Sequence, residues 1–305
     1  MKRLMLIAVL LCTVTALSAQ ETYCFAQRDT CSLYMDIWRP SEGAQTTLDS
    51  LQKPAILFVF GGGFITGSRR EGMYQKWFRQ MQDDGYTVVA IDYRLGMKGV
   101  KVKKSLSGLY KSAEYFYRAQ QMGVEDVFSA VKYLSENNLG IDVNNMVVTG
   151  NSAGAIISLA CAYDIANGHT EGLPEGFAFK GAMSFAGAIV SVKGAPRFKQ
   201  APCPLLLFHG TADKAVAYKH LGTAARGVWG SDWIARQMQK KGWDCCIWRF
   251  EGATHDVAGY MAWLWEEQKD FLEKNVIRGA HRSMDVMVED PSLPKWKPIG
   301  LGDIY

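Results

Sequence analysis

Gly150-Asn151-Ser152-Ala153-Gly154 stands directly behind the apolar run Met146-Val147-Val148-Thr149 and opens into Ala155-Ile156-Ile157-Ser158-Leu159-Ala160. A strand that ends in Gly-x-Ser-x-Gly and runs into a helix is the setting a nucleophile elbow requires. The turn is so tight that the serine's neighbours must be nearly free of side chain, hence the flanking glycines. The hydroxyl is then presented at a helix N-terminus, where backbone N–H groups and the dipole favour developing negative charge. The chemistry open to such a serine is acyl transfer. It needs helpers, because a serine at neutral pH requires a base, and the base requires an acid that fixes its tautomer.

The chain has five histidines, so the base can be sought by elimination. His169 sits in a Gly/Glu-rich loop, His220 in a polar segment soon after a strand, and His281 at the start of the tail. His209 ends the run Leu205–Phe208 and lies too close to the sheet to swing toward the serine. His255, in Gly252-Ala253-Thr254-His255-Asp256 just after the last strand, is the candidate base. The acid should follow the preceding strand, where Asp213 stands in His209-Gly210-Thr211-Ala212-Asp213. The order Ser152, Asp213, His255 is that expected of triad members on successive strand-end loops. Asp232, Asp244 and Asp256 compete less well, Asp256 because it adjoins the base. An oxyanion hole is the remaining requirement. Gly61-Gly62-Gly63-Phe64 follows the strand ending at Phe60, which makes the N–H groups of Gly62, Gly63 and Ala153 the candidate donors. Trp229 and Trp233, between acid and base, are candidate stacking platforms for a sugar or phenolic ring.

These residues need a scaffold that brings strand ends together. Ser32–Trp38 alternates like a strand, and Ala55–Phe60 is continuously apolar, as a doubly covered central strand should be. Residues 86–91, 146–149, 182–185, 205–208 and 245–250 read as further strands. Helical stretches over 73–84, 124–137, 155–167, 233–241 and 258–275 lie between them. Such alternation predicts an α/β fold, a mostly parallel doubly wound sheet of about eight strands with helices on both faces. Residues 96–123 form a basic and aromatic excursion, read either as a surface helix or as a substrate cover.

Composition is that of an ordinary globular chain, 48% hydrophobic and 21% charged over 305 residues, which suits one large domain. The net charge is +4, with Lys2 and Arg3 supplying two of those charges, so nucleic acid is not an expected partner. Met1-Lys2-Arg3, the apolar run Leu4–Leu17 and Ser18-Ala19-Gln20 read as a secretory signal peptide over residues 1–19. The expectation is therefore an exported protein, periplasmic or extracellular, with the domain over 20–280, an extended tail over 281–305 and no membrane span after cleavage. Six cysteines follow Cys12. Cys24 and Cys31 flank a polar turn, and a disulfide across that hairpin is expected. Cys203 could reach the Cys245-Cys246 pair. No cysteine has metal-ligand spacing with a histidine, so no metal or other cofactor is expected.

From about Ser32 to Asn275 the chain resembles the α/β-hydrolases, close to the carboxylesterase and lipase-like branch related to hormone-sensitive lipase. It is similar also to secreted bacterial feruloyl and acetyl-xylan esterases. The resemblance is carried by Phe60-Gly61-Gly62-Gly63-Phe64, Asp92-Tyr93-Arg94-Leu95, Gly150–Gly154, His209–Asp213 and His255. It implies a serine carboxylic-ester hydrolase that works through an acyl-enzyme on a small-molecule or saccharide ester, removing acetyl or feruloyl groups from plant polysaccharide. It implies also that Asp92 and Arg94 are structural. One departure is Phe60, where that branch usually has a histidine that shapes the glycine loop. Two other readings fit the same residues: a prolyl-oligopeptidase-like peptidase, although no propeller repeat is visible, and a catalytically inactive binding module of the same fold.

Overall fold

A strand covered on both faces has no polar side to present, and six apolar runs form the centre of the molecule for that reason. In chain order the strands are β1 (Glu21–Gln27), β2 (Ser32–Trp38), β3 (Ala55–Val59), β4 (Val88–Ile91), β5 (Met146–Asn151) and β6 (Gly181–Phe185). They continue with β7 (Ala188–Ser191), β8 (Leu205–Gly210), β9 (His220–Gly222), β10 (Gly227–Gly230), β11 (Cys245–Phe250) and β12 (Met284–Val288). The α-helices are α1 (Gln75–Asp83), α2 (Leu106–Glu136), α3 (Ala153–Ala166), α4 (Ser231–Lys241) and α5 (Trp265–Phe271). Strands β3, β4, β5, β6, β8 and β11 are buried from end to end. The computed structural model describes residues 20–44, 52–101 and 106–293. The leader-like segment 1–19 and the tail from Pro294 onward lie outside the described residues.

The main sheet has nine strands in the order β1-β2-β4-β3-β5-β6-β8-β11-β12. From β4 to β12 every neighbouring pair is parallel, while β2 runs antiparallel to both β1 and β4. The ninth strand comes from the tail, where an extended strap is expected. Met284–Val288 instead pairs with β11, from Cys246↔Met284 to Phe250↔Val288. A second, antiparallel sheet of β7-β10-β9 forms within residues 188–230. Helix α3 packs on β3, β5 and β6, and α4 on β8 and β11. Register aligns the carboxyl ends: Val59 lies beside Gly150, Asn151 beside Phe185, Phe185 beside Phe208, and His209 beside Arg249. Side chains just beyond those ends therefore meet over one edge of the sheet, where open α/β sheets place their sites.

The structure separates the two readings of the aromatic excursion and corrects one further expectation. From Leu106 the excursion belongs to a single 31-residue helix, α2, continuous through Val124. Tyr115, Phe116 and Tyr117 are partly buried against the core, which fits a helix packed on the body. The correction concerns Cys24 and Cys31, which are free thiols. Register sets Cys24 opposite Tyr34, with a bulge between Cys24 and Ala26, while Cys31 closes the turn with Arg28 through N–H···O bonds of 2.9 and 3.3 Å. Cys203, Cys245 and Cys246 are free as well.

Buried ion pairs tie the layers together. Asp36 on β2 is fully buried and accepts from Arg69 Nε at 2.8 Å, Arg70 Nε at 2.7 Å and Thr22 Oγ1 at 2.7 Å. Burial alone would raise its pKa, but the bonds from Arg70, Thr22 and Arg69 hold it below the usual carboxylate range. Asp92 meets Arg69 at 2.5 Å, and Arg94 reaches the fully buried Asp126 at 2.9 Å. Both residues of that motif thus join elements of the scaffold. Removing Asp36 leaves the nearly buried Arg69 without its main partner. Asp36→Ala should therefore cost about 3–5 kcal/mol in equilibrium urea unfolding, and a loss under about 1 kcal/mol would show that the pair behaves as a surface one.

Candidate active site

The chain leaves β5 and enters α3 through one residue, Ser152, whose φ is +51°. A non-glycine residue there is strained, and such strain persists only where its surroundings over-determine it. They do so here. A Cβ on Gly150 would lie 2.4 Å from the Val59 carbonyl oxygen, and one on Gly154 would lie 2.0 Å from the same atom. The serine N–H donates to Phe185 O at 2.9 Å, and its own carbonyl accepts from Ile156 N–H at 3.0 Å, starting the helix. Its side chain is thereby fixed at the C-terminal edge of the sheet.

His255 opens a 3-10 turn, His255–Gly259, just after β11. Its Nε2 lies 2.9 Å from Ser152 Oγ, and its Nδ1 lies 2.8 Å from Asp213 Oδ2. Asp213 follows β8, and its other oxygen, Oδ1, accepts from the N–H groups of Ala215 at 2.8 Å and Val216 at 3.0 Å. Ser152, Asp213 and His255 are each 8% exposed. Burial would raise the Asp213 pKa, but hydrogen bonds from His209 and His255 outweigh it and hold the carboxyl well below its ordinary range. A buried, ionised carboxylate thus fixes His255 with a proton on Nδ1, which leaves Nε2 free to accept from the serine hydroxyl.

The competing groups are engaged elsewhere. Asp232 binds Arg249 at 2.5 Å and Arg236 at 2.9 Å, Asp244 meets His281 at 2.9 Å, and Asp256 accepts from Thr254 at 3.0 Å. His169 lies 3.3 Å from Asp164, and His220 stacks on Trp229 with centroids 4.7 Å apart. Trp229 is 2% exposed, covered on one face by His220 and flanked by Trp233 at 6.4 Å. This corrects its expected role as a stacking platform, because a covered indole has no face left for a substrate ring. Trp233 is half-buried beside it.

Gly62 and Gly63 carry φ of +120° and +64°, and a Cβ on Gly62 would stand 2.1 Å from Thr66 O. The loop turns back on itself through Ile65 and Thr66 N–H bonds to Gly62 O, both 3.1 Å. Phe60 packs on Tyr93 with centroids 4.5 Å apart, and a Cβ on Gly67 would meet its ring at 2.7 Å. Packing of this phenyl ring shapes the loop at the position where the lipase-like branch has histidine. Sequence reasoning missed Tyr74. Gly61 N–H donates to its hydroxyl at 3.2 Å, and that hydroxyl donates to Asn151 Oδ1 at 3.2 Å, mooring the glycine loop to the residue before Ser152. Burial pushes the Tyr74 phenol up to about 12, so it remains a donor at neutral pH. Ala153 opens α3, where the first N–H groups have no partner within the helix. The glycine loop is thus tied through Gly61 and Tyr74 to Asn151, and Ala153 follows Ser152 directly. Among the described residues, no three His, Cys, Asp or Glu side chains form a metal-holding group, and no helix is long and apolar enough to cross a membrane.

The family model described as BD-FAE matches residues 35–191, about half of the chain, including Ser152 and the glycine loop. Among curated proteins, the fumonisin B1 esterase of Sphingopyxis macrogoltabida is 30% identical over 125 residues, covering 40% of this chain and 21% of that protein. Neuroligin-2 of Mus musculus is 29% identical over 195 residues, covering 57% of this chain and 20% of that protein. The match thus spans about a fifth of the length of these curated relatives. Among solved structures, a butyrate-bound thermophilic esterase from Thermogutta terrifontis aligns with a TM-score of 0.55, over 83% of this chain and 94% of that one. At 22% identity that likeness is one of fold.

The depressed Asp213 pKa carries a sign. A carboxyl whose folded pKa lies below the unfolded value of about 3.9 contributes stability at higher pH and loses it as pH falls. The stability gap between the wild type and Asp213→Asn should therefore narrow below about pH 4, measured as urea midpoints. A gap that stays constant across that range would contradict the ionised, donor-saturated carboxylate.

Proposed function

The chain belongs to the BD-FAE family of esterase-like α/β-hydrolases, and we propose that it is a serine ester hydrolase working through an acyl-enzyme. The observation that carries this reading is the unbroken path Asp213 Oδ2, His255 Nδ1, His255 Nε2 and Ser152 Oγ, with steps of 2.8 and 2.9 Å. In the proposed reaction Ser152 Oγ attacks the ester carbonyl while His255 Nε2 takes its proton. The imidazolium so formed is stabilised by the Asp213 carboxylate. Negative charge on the carbonyl oxygen is held by backbone N–H groups of Gly62, Gly63 and Ala153, positioned in advance by Tyr74 and by the helix start. The imidazolium then protonates the departing alcohol. Water, deprotonated by the same base, releases the acid and restores the serine.

For substrate, the proposal is a small or saccharide ester with an acetyl or feruloyl acyl group. Its support is the family together with the fumonisin B1 esterase likeness, whose name describes an ester substrate for that protein. The proposal includes export, on the strength of Lys2, Arg3 and the apolar run to Leu17.

Ser152→Ala should lower kcat on p-nitrophenyl acetate by roughly 10⁴–10⁶-fold with the fold intact. Retention of more than about a tenth of wild-type activity would sink the assignment of the nucleophile. A fluorophosphonate probe should label the wild type and spare Ser152→Ala; an unlabelled wild type would favour a binding module. Faster turnover of a proline p-nitroanilide than of any ester would favour a peptidase. Acetylated xylan and methyl ferulate, compared side by side, decide the acyl group.

A further inference from the structure

His209 is a fully buried histidine that the proposed reaction does not use. It meets the same Asp213 oxygen, Oδ2, that His255 meets. Its Nδ1 is 2.8 Å from Ser231 Oγ at the start of α4, and Ser231 Oγ is 3.2 Å from Gly187 O. Its Nε2 faces Val216 O at 3.2 Å and Asp213 Oδ2 at 3.3 Å. Counting protons decides its tautomer. Nε2 looks at two acceptors and no donor, so a bare lone pair there would be unpaired and repelled from both sides. Nε2 must carry hydrogen, shared between the carbonyl and the carboxylate in a three-centre bond. Ser231 has one hydroxyl proton and two places to put it. Donated to Nδ1, it leaves the imidazole neutral; donated to Gly187 O, it leaves Oγ to accept from a protonated Nδ1. The Nε2–H stays on Asp213 in either case.

We propose that His209 is a positioning residue of the site, clamping the Asp213 carboxylate through Nε2–H, with Ser231 holding its tautomer. Oδ2 then receives both His255 and His209, while Oδ1 receives Ala215 and Val216 N–H. The carboxylate cannot rotate without breaking one of these bonds. The same path closes a ring around the nucleophile. Gly187 lies two residues beyond Phe185, whose carbonyl accepts the Ser152 N–H. This inference rests on reading Asp213 as the acid of the ester-hydrolysing triad.

The remaining groups around His209 present no competing charge. Tyr218 meets its ring edge-on at 5.5 Å, and Arg249, its register neighbour on β11, is paired with Asp232 on α4 at 2.5 Å and with Asp285 on β12 at 2.5 Å. Asp213 is thus the unneutralised charge in contact with it, and His255 is the group to which any change would pass. Without the His209 donor, more of the carboxylate charge falls on His255 and favours its imidazolium. The acid limb of kcat/KM should then move to higher pH.

Long-range ¹H–¹⁵N spectra of the wild-type imidazoles, with His209 assigned by difference, test the tautomer without relying on any variant's activity. Protonated Nε2 from pH 5 to 8 is expected, and an unprotonated Nε2 overturns the proposal. His209→Phe should lower kcat about 10- to 100-fold, the range seen when an outer-shell partner of a metal ligand is lost, with KM nearly unchanged. Its acid limb should rise by about half a unit to one unit, and His209→Gln, whose amide can donate to Asp213, should recover most of both. Equal defects in the Phe and Gln variants, or a fall in kcat with the limb unmoved, overturn it too. Fluorophosphonate labelling of the wild type reports on the esterase reading separately, so the two failures are distinguishable.

Discussion

The site depends on one close approach, that of the Val59 carbonyl to the backbone on either side of Ser152. Side chains at Gly150 and Gly154 are excluded because their Cβ atoms would lie 2.4 and 2.0 Å from that oxygen. The approach lets β3 pair with β5 to its last residue, Val59 beside Gly150, while the chain reverses into α3. The serine then has no option but φ of +51°, a conformation that costs on the order of 1–3 kcal/mol. What offsets that cost is local and identifiable: one hydrogen bond to Phe185 O, one from Ile156 N–H, and a helix of small apolar residues buried on almost every side. The glycine loop is drawn into the same arrangement by Tyr74, which bridges it to Asn151.

Three buried carboxylates organise the rest, and each is satisfied by more than one donor. Asp36 gathers Arg69, Arg70 and Thr22, and Asp126 gathers Arg28 and Arg94. Asp213 gathers two histidines and two backbone N–H groups. The first two donor sets bring permanent cations, which suits a scaffold joint. The third brings neutral dipoles and titratable rings, so its charge is left to act on His255. A buried carboxylate surrounded by arginines would be spent on them; one surrounded by N–H groups remains available.

The inserted segment between acid and base matters less as substrate surface than as support. Its strands β9 and β10, the latter paired with β7 from before the acid, carry Trp229 into a covered position and deliver Ser231 to the start of α4. Ser231 touches both Gly187 O and His209, so the insertion reaches the acid from behind.

Much of this was legible in the sequence wherever the signal was local. Apolar runs ended by Gly-Asn-Ser-Ala-Gly, His-Gly-Thr-Ala-Asp and Gly-Ala-Thr-His mark strand ends, and parallel order predicts that such ends share an edge. Ser152, Asp213 and His255 could therefore be named from position alone, and the structure brings those three within hydrogen-bond reach. Other features were illegible because they depend on register and rotamer. Cys24 faces Tyr34 through a bulge that no spacing announces. Trp229 is covered by a histidine nine residues before it. β12 joins the sheet although its strand signal is weak. The same holds for His209. Its place beside the sheet follows from sequence, but its partners, Ser231, Val216 and Asp213, come from three positions along the chain. Alternation and turn chemistry act over a few residues and determine which elements form and where they end. Only close packing across distant segments decides which polar atoms face one another, and with that where each proton must sit.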